Sequence, residues 1–362
     1  MGPASLSVTA TGRAVHGARL DRFLSLDRQA PWAGRVPDHG LLTLIGHPGS
    51  GAEEAVKRIA ASERAGAVGF WLDARLYGDR DAFVHALTQQ LLEQLLGAQT
   101  LVRWRSGASP PRDVLGSLGS GRAAEIARLL DPSGPPSSLP QLFALADGLT
   151  LGITWAHLLT ERRMGRLSWE LRASVAATES KTALILATFP ATRNLLLGSD
   201  GPLFGVGEQV EVTDPTTPRW RELVRIHDLP VTDQDLQWLL LRTDGQARST
   251  AQILESTHTL DRKSPWAARE IWERLAEQAA GRTSAQLTLA RAITPQGPVL
   301  LAAIAAGRGP YSALAAHASP KQISRSLAQL AYHGVIHSPR PRLWLLAEPL
   351  LRDALSQWHA LD

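Results

Sequence analysis

No cysteine occurs among the 362 residues, which excludes disulfides, thiolate zinc sites, Fe–S clusters and a cysteine nucleophile. Lysine is nearly missing too. Four of the 38 basic residues are Lys, at positions 57, 181, 263 and 321, and the others are Arg. No apolar run approaches the roughly 18 residues of a membrane helix, and Val299 to Ala306 is among the longest. The start, Met1-Gly2-Pro3-Ala4-Ser5, has neither the basic nor the apolar region of an export signal, so a soluble cytoplasmic chain without a membrane partner is expected. Recognisable catalytic spacings are also lacking. The 11 His form no H-E-x-x-H or other ligand pattern, so no metal site is expected, and there is no G-x-S-x-G elbow. The carboxylate pairs Asp233/Asp235 and Glu273/Glu277 read as solvated helix faces or caps.

What is present describes a folded protein. Hydrophobic residues make up 44% and charged residues 20% of a chain long enough for two or three domains. The net charge of +4 is unevenly placed. From Gly281 to Asp362, eight basic residues face three acids, a local +5 on a nearly neutral body. A basic terminal domain is an electrostatic footprint for nucleic acid, although an Arg-rich solvated surface has the same count.

The pattern along the chain alternates strand and helix. Leu41 to Ile45 is an apolar run, Gly46-His47-Pro48-Gly49-Ser50-Gly51 a glycine-rich loop, and Ala52 to Arg64 a helix. Further strands are predicted at Val68 to Leu72, Leu149 to Trp155, Ala183 to Thr188 and Glu208 to Val212. Asp79 to Leu96 is a long amphipathic helix, and a helix from Trp155 or His157 reaches Ala177. Ser106 to Gly121 and Asp131 to Ser138 read as loops. Beyond Thr213 only helices follow, at about 218–228, 232–241, 249–259 and 266–280. Trp220, Trp238, Trp266 and Trp272, four of the 11 Trp, fall in these helices as their core. Strands alternating with helices predict a parallel sheet covered on both faces.

Gly46 and Gly51 have the spacing of a phosphate-binding loop, G-x-x-x-x-G-K-[ST], in the right strand–loop–helix setting. The Lys place is taken by Ala52 and the hydroxyl place by Glu53. A carboxylate there repels phosphate at the helix N-terminus. The third strand ends in Thr154-Trp155, where an active enzyme carries acids for Mg²⁺ and water; Asp147 lies before the strand. These substitutions predict a chain that is not an enzyme.

The last region has its own logic. Pro298 to Ala306, Pro310 to His317 and Lys321 to His333 are three helices, the third capped by Ser319 with Pro320 at its first position and ended by Gly334. Val335-Ile336 and Leu343 to Leu346 are strands around Ser338-Pro339-Arg340-Pro341-Arg342, and Glu348 to Trp358 is a closing helix. Three helices and a basic hairpin make a winged helix. On DNA, Lys321, Gln322 and Arg325 would be expected to enter a major groove, and Arg340 and Arg342 to reach phosphates or the minor groove. Winged helices also dock on proteins, and that alternative stays open.

Taken in order, the chain resembles the AAA+/STAND superfamily, of the archaeal-type and origin-recognition-like ATPases, from about Leu20 to Trp358. The resemblance rests on degenerate Walker A residues Gly46 to Glu53 and on Phe70-Trp71-Leu72-Asp73-Ala74-Arg75 as the second strand. It also rests on Ala183 to Thr188, with Thr188 at the sensor-one place, and on Val210 to Pro215 as the exit into the lid. Thr243-Asp244-Gly245-Gln246-Ala247 is similar to the family's Gly-Gly-x-Pro turn, with Arg248 where a sensor-two arginine stands. A poorer match is the upstream box around His16-Gly17-Ala18-Arg19.

The resemblance implies an α/β fold: a P-loop NTPase-like parallel sheet of five strands, a helical lid and a C-terminal winged-helix domain. The expected divisions are an N-terminal segment 1–30, a degenerate P-loop NTPase-like domain 31–213, a lid 214–290 and a winged helix 291–362. The expected function is a catalytically inactive, AAA+/STAND-like pseudo-ATPase without a cofactor, binding duplex DNA as a scaffold or regulatory partner. Its protein partner would be an active ATPase or a second copy. The alternatives are a nucleotide-binding signalling switch, with ATP or ADP held by Gly46, Gly49, Gly51 and Arg248, and a protein–protein module without DNA binding.

Overall fold

The structure, a computed structural model, describes residues 40–61, 67–106, 119–130, 138–177, 182–257, 267–315 and 317–358. His16 to Arg19, Lys181, Lys263 and Trp266 lie outside the described residues, as do 107–118 and 131–137 of the two expected loops. The chain divides into two compact units. Among the described residues, one holds Gly40–Ile45 with Glu53–Glu211, and the other holds Gly46–Ala52 with Val212 onward.

The first unit is a five-stranded sheet: β1 (Gly40–Ile45), β2 (Val68–Asp73), β3 (Leu149–Thr154), β4 (Thr182–Thr188) and β5 (Glu208–Glu211). Its order is β2-β3-β4-β1-β5 and every pairing is parallel. All of β3 and β4 is buried: β4 reads as a continuous apolar run from Ala183 to Ala187, whereas β3 alternates and buries Thr150, Gly152 and Thr154 along with its apolar residues. The helices are α1 (Ala52–Ala61), α2 (Arg80–Leu96), α3 (Ala98–Arg105), α4 (Ser120–Leu130), α5 (Leu139–Phe143), α6 (Leu167–Ala177) and α7 (Arg193–Leu197). Asp79 caps α2 by accepting the Ala82 N–H at 2.9 Å, and α2 buries Phe83, Leu87 and Leu91 along one stripe. Gly152 lets α1 approach β3. A Cβ there would lie 2.8 Å from Ala60 Cβ and 2.9 Å from a Val56 methyl.

Two local expectations are corrected. The helix expected from Trp155 begins only at Leu167. Trp155 itself is left-handed, at φ 58°, and is followed by short 3₁₀ turns at Ala156–Thr160 and Arg162–Met164, with Gly165 at φ 58°. The expected loop 106–121 is entered by α4, which starts at Ser120.

The second unit begins with α8 (Thr217–Ile226), α9 (Asp233–Thr243), α10 (Ala247–Thr257), α11 (Ala267–Ala280) and α12 (Thr283–Ile293). Trp220 is fully buried, and Trp238 meets Trp272 edge to face at 6.2 Å. α12 had no expectation of its own. Only Ala290 is fully buried along it, so its apolar face is thin. Then come α13 (Gly297–Ala305), α14 (Pro310–Leu314) and α15 (Pro320–Tyr332). The hairpin is β6 (Ile336–Arg340) and β7 (Leu343–Leu346), antiparallel with a register irregularity between His337 and Arg340. The expected closing helix shortens to a 3₁₀ turn at Pro349–Leu351 and α16 (Arg352–Ser356). One apolar core runs through the unit, joining Trp220, Leu239 and Trp272 to Leu300, Leu327 and Ile336.

Candidate functional site

Residues 46–52 leave β1 and turn into α1. Gly49 and Gly51 hold φ of 85° and 93°, the left-handed region that glycine enters without strain. The Ser50 N–H donates to the His47 carbonyl at 2.9 Å, closing the turn. Gly49 allows a second close approach, since a Cβ on it would lie 2.4 Å from the Gln246 side-chain carbon. The Gln246 Nε2 donates to the Pro48 carbonyl at 3.0 Å and to the Ala347 carbonyl at 2.9 Å. The Arg248 N–H donates to the Gly49 carbonyl at 2.8 Å. The sequence-nominated Gly46, Gly49, Gly51 and Arg248 are therefore neighbours, because the turn before α10 is hydrogen-bonded to the loop.

His47 is a contributor that sequence reasoning missed. Its Nε2 donates to the Asp214 carboxylate at 2.6 Å, and its Nδ1 lies 3.0 Å from the Pro48 carbonyl. Only the imidazolium can donate from both nitrogens. The other Asp214 oxygen accepts the Ala247 N–H at 2.8 Å. Burial opposes the charge on His47, but Asp214 and the Pro48 carbonyl outweigh it and raise its pKa above the ordinary histidine value. Stacked on His47 is His337 of β6, with ring centroids 4.2 Å apart and planes within 10°. Burial, then the charge of His47, pushes His337 down to about 3, so it stays neutral. Its Nδ1 has no hydrogen-bond partner among the described residues. Beside the pair a groove of about 850 Å³ opens, lined by Asp214, Asp244, Gln246, Arg340 and Leu345 among others. Burial raises the Asp244 carboxyl, while its bond to Arg352 opposes that shift. No signal within the glycine loop could have revealed the histidine pair, since its two members are 290 positions apart in the chain.

In the sheet unit, the carboxyl ends of β2, β3 and β4 bear Asp73, Thr154 and Thr188. Thr188 shares a bond of 3.1 Å with Thr192. Asp73 stands level with Thr154 in the register. Arg75 bonds both oxygens of Asp73, at 3.0 and 2.6 Å, and lies 4.4 Å over the Trp155 ring. Asp73, Glu53 and Glu54 all exert charge on Arg75. The Trp155 indole N–H and the Thr154 hydroxyl are buried without partners among the described residues. A bulky residue at positive φ with an unsatisfied donor is a strained position, and such positions cluster at functional sites.

On the winged helix, Lys321, Gln322, Ser324 and Arg325 are exposed along α15, and Arg340 and Arg342 are exposed on the hairpin. Among the described residues no acid pairs with Lys321, Arg325, Arg340 or Arg342. Ser319 caps α15 as the sequence indicates. Its Oγ accepts the Gln322 N–H at 3.3 Å, and the Gln322 Oε1 accepts back from the Ser319 N–H at 2.8 Å. That bond occupies the oxygen of Gln322. Arg342 takes the tip of the hairpin at φ 66°.

Among the described residues, no group of three or more His, Asp or Glu could hold a metal ion, and no helix is long and apolar enough to cross a membrane.

No protein-family model and no curated protein matches the chain. Solved structures do. The chain is similar over 95% of both chains to the Walker-type ATPase PABY2304 of Pyrococcus abyssi, with TM-score 0.58 and 16% identity. It also matches the Aeropyrum pernix ORC1 protein in complex with DNA, at TM-score 0.39, 14% identity and 95% and 92% coverage. A third match is a point variant of Thermotoga maritima RuvB, at TM-score 0.37, 16% identity and 92% coverage of each chain. The expectation that the chain is not an enzyme is corrected here, because a structure similar to it over 95% of both chains is a Walker-type ATPase. The motif argument weighed Ala52, Glu53, Thr154 and Trp155 each against a single expected residue type. Yet acids do stand near the strand ends, supplied by α1 and β2, and Glu53 and Asp73 are both buried there. The five-stranded parallel sheet is that of a P-loop NTPase-like fold, followed along the chain by a helical lid and a terminal winged helix.

Proposed function

We propose that the chain is a nucleotide-responsive AAA+-type module that engages duplex DNA through its winged helix and serves as a scaffold or regulatory partner. Its own copies or another ATPase would be its protein partners. The observation that carries this reading is the cation set on the winged helix. Lys321 and Arg325 on α15 and Arg340 and Arg342 on the hairpin are exposed, without acidic partners among the described residues, on the two elements that winged helices apply to DNA. Ser319 and Pro320 fix the start of α15, so Lys321 and Arg325 project from its first two turns.

The test is fluorescence anisotropy of a labelled random duplex from about 50 to 200 mM salt. Each phosphate contact contributes about 0.9 to the slope of log affinity against log salt. Lys321→Ala with Arg325→Ala should lower affinity and reduce the slope by about two. An unchanged slope rejects the assignment, and absence of binding at the lowest salt turns the winged helix into a protein-docking element.

Nucleotide response has its own support. The AAA+ fold implies ATP, and the loop fits a polyphosphate in its backbone. Gly49 and Gly51 at positive φ are compatible with a turn whose amides would bind an anion without side-chain charge. Gly46, Gly49 and Gly51 would hold phosphate oxygens. Ala52 brings no charge, and Arg248, rooted at the loop through its backbone bond to Gly49, would supply it. Calorimetry with ATP and ADP, with and without Mg²⁺, tests this; no heat at millimolar ligand rejects it.

A further inference from the structure

We propose that His337, a residue of the wing hairpin, is a positioning residue for the glycine loop: its ring, stacked on His47, holds the loop in the conformation on which polyphosphate binding depends. The inference rests on the nucleotide reading above for its purpose, but not for its geometry.

His47 is the first residue after Gly46, and its ring is held on three sides. Asp214 takes one ring nitrogen, the Pro48 carbonyl the other, and His337 covers one face. Asp214 and Pro48 fix the ring by its edge. Only His337 fixes it by its plane, and it does so from a buried position, with 8% of its surface exposed. A buried ring in a sheet has few alternative rotamers, so it is a firm surface to lean on. The loop has one further tie to the hairpin, through Gln246, which bonds Pro48 on one side and Ala347, just past β7, on the other. The hairpin thus meets His47 directly from β6, and Pro48 indirectly through Gln246 and the residue that follows β7. A loop that binds anions with its amides must hold them in a fixed array, because disordered amides repay their ordering cost out of the binding energy. The chain lacks the Lys of the phosphate-binding motif, so amide geometry carries more of the affinity here.

The test is deuterium exchange of the peptide covering 46–52 in the full chain without nucleotide, compared among wild type, His337→Leu and His337→Phe. Leu fills the space without a flat ring, so the hairpin folds; Phe restores a ring that can stack. Exchange in 46–52 should rise about tenfold in His337→Leu and return to within about twofold of wild type in His337→Phe. Unchanged exchange in His337→Leu overturns the proposal. So does a Phe variant that exchanges as fast as the Leu variant, since stacking would then not be the cause. ATP titration of the same proteins separates the two readings. Binding weakened about tenfold by Leu and rescued by Phe supports both. Wild type that binds no ATP but shows the exchange pattern leaves His337 as the support of the loop and removes the polyphosphate reading. ATP binding with an exchange rate indifferent to position 337 does the reverse.

Discussion

Acidification should destabilise the C-terminal unit through His337, and the size of the effect can be worked out. In the unfolded chain this imidazole titrates near 6.5; in the fold it is pushed down to about 3 by burial and by the charge of His47. A base with a depressed folded-state pKa gives stability that is whole above 6.5 and is lost as pH falls towards 3. Between pH 7 and pH 5 the unfolded state takes up a proton that the native state refuses, a loss of about 2 kcal/mol. His47 acts with the opposite sign. Its raised pKa gives stability that is whole below 6.5 and is lost as pH climbs through the raised value. The other charges near the pair are Asp214, Asp244 with Arg352, and Arg340 on the same groove. Their contributions, and that of His47, cancel to first order when wild type is compared with His337→Phe. Denaturant unfolding, followed by the tryptophans of this unit, should therefore show wild type losing about 2 kcal/mol more than the variant between pH 7 and 5. For a unit of this size that is roughly 4–8 °C in Tm. Parallel pH curves for the two proteins would refute the claim that His337 is kept neutral by its surroundings.

Three further outcomes are expected. Gly152→Ala forces a methyl to within 3 Å of Ala60 and Val56 and should cost the sheet unit about 1–3 kcal/mol in a denaturant titration. Ser319→Ala removes the cap of α15 and should cost about 1 kcal/mol, seen as faster exchange in the first turn of that helix. Arg342→Gly relieves the left-handed φ at the hairpin tip and should raise stability by about 1 kcal/mol while weakening duplex binding. A variant that gains stability and keeps its full duplex affinity would remove Arg342 from the interface.

Much of the architecture was legible because burial writes itself into composition. β4 is buried along its whole length and carries an unbroken apolar run from Ala183 to Ala187, as central parallel strands do. Ser319-Pro320 and Gly334 marked the ends of α15 because capping is a local matter. The failures are where long-range contacts overrode local preference. Trp155 looked like the first residue of a helix, but its backbone is left-handed and its ring lies under Arg75 and against Phe189. The groups at the loop were legible only in part. Gly46, Gly49 and Gly51 announce themselves by spacing, whereas His47, Asp214 and His337 lie far apart in sequence. Nothing about an isolated histidine says which ring it will meet. The missing Lys and acids were real features of the sequence, but reading inactivity from Ala52, Glu53, Thr154 and Trp155 gave those positions more weight than the fold.

The glycine loop belongs to a unit whose other parts are made much later, and this has a consequence for synthesis. Pro48 and the Gln246 amide that bonds it are 198 residues apart. At about 5–20 residues per second, a ribosome that has just emitted the loop needs roughly 10–40 s to reach its partner. β1 and the residues of α1 are complete throughout that interval, while the segment joining them still lacks the residues that fasten it. A nascent chain halted before Asp214 would carry the strand and the helix, but its loop would take its native form only after the C-terminal half had been translated.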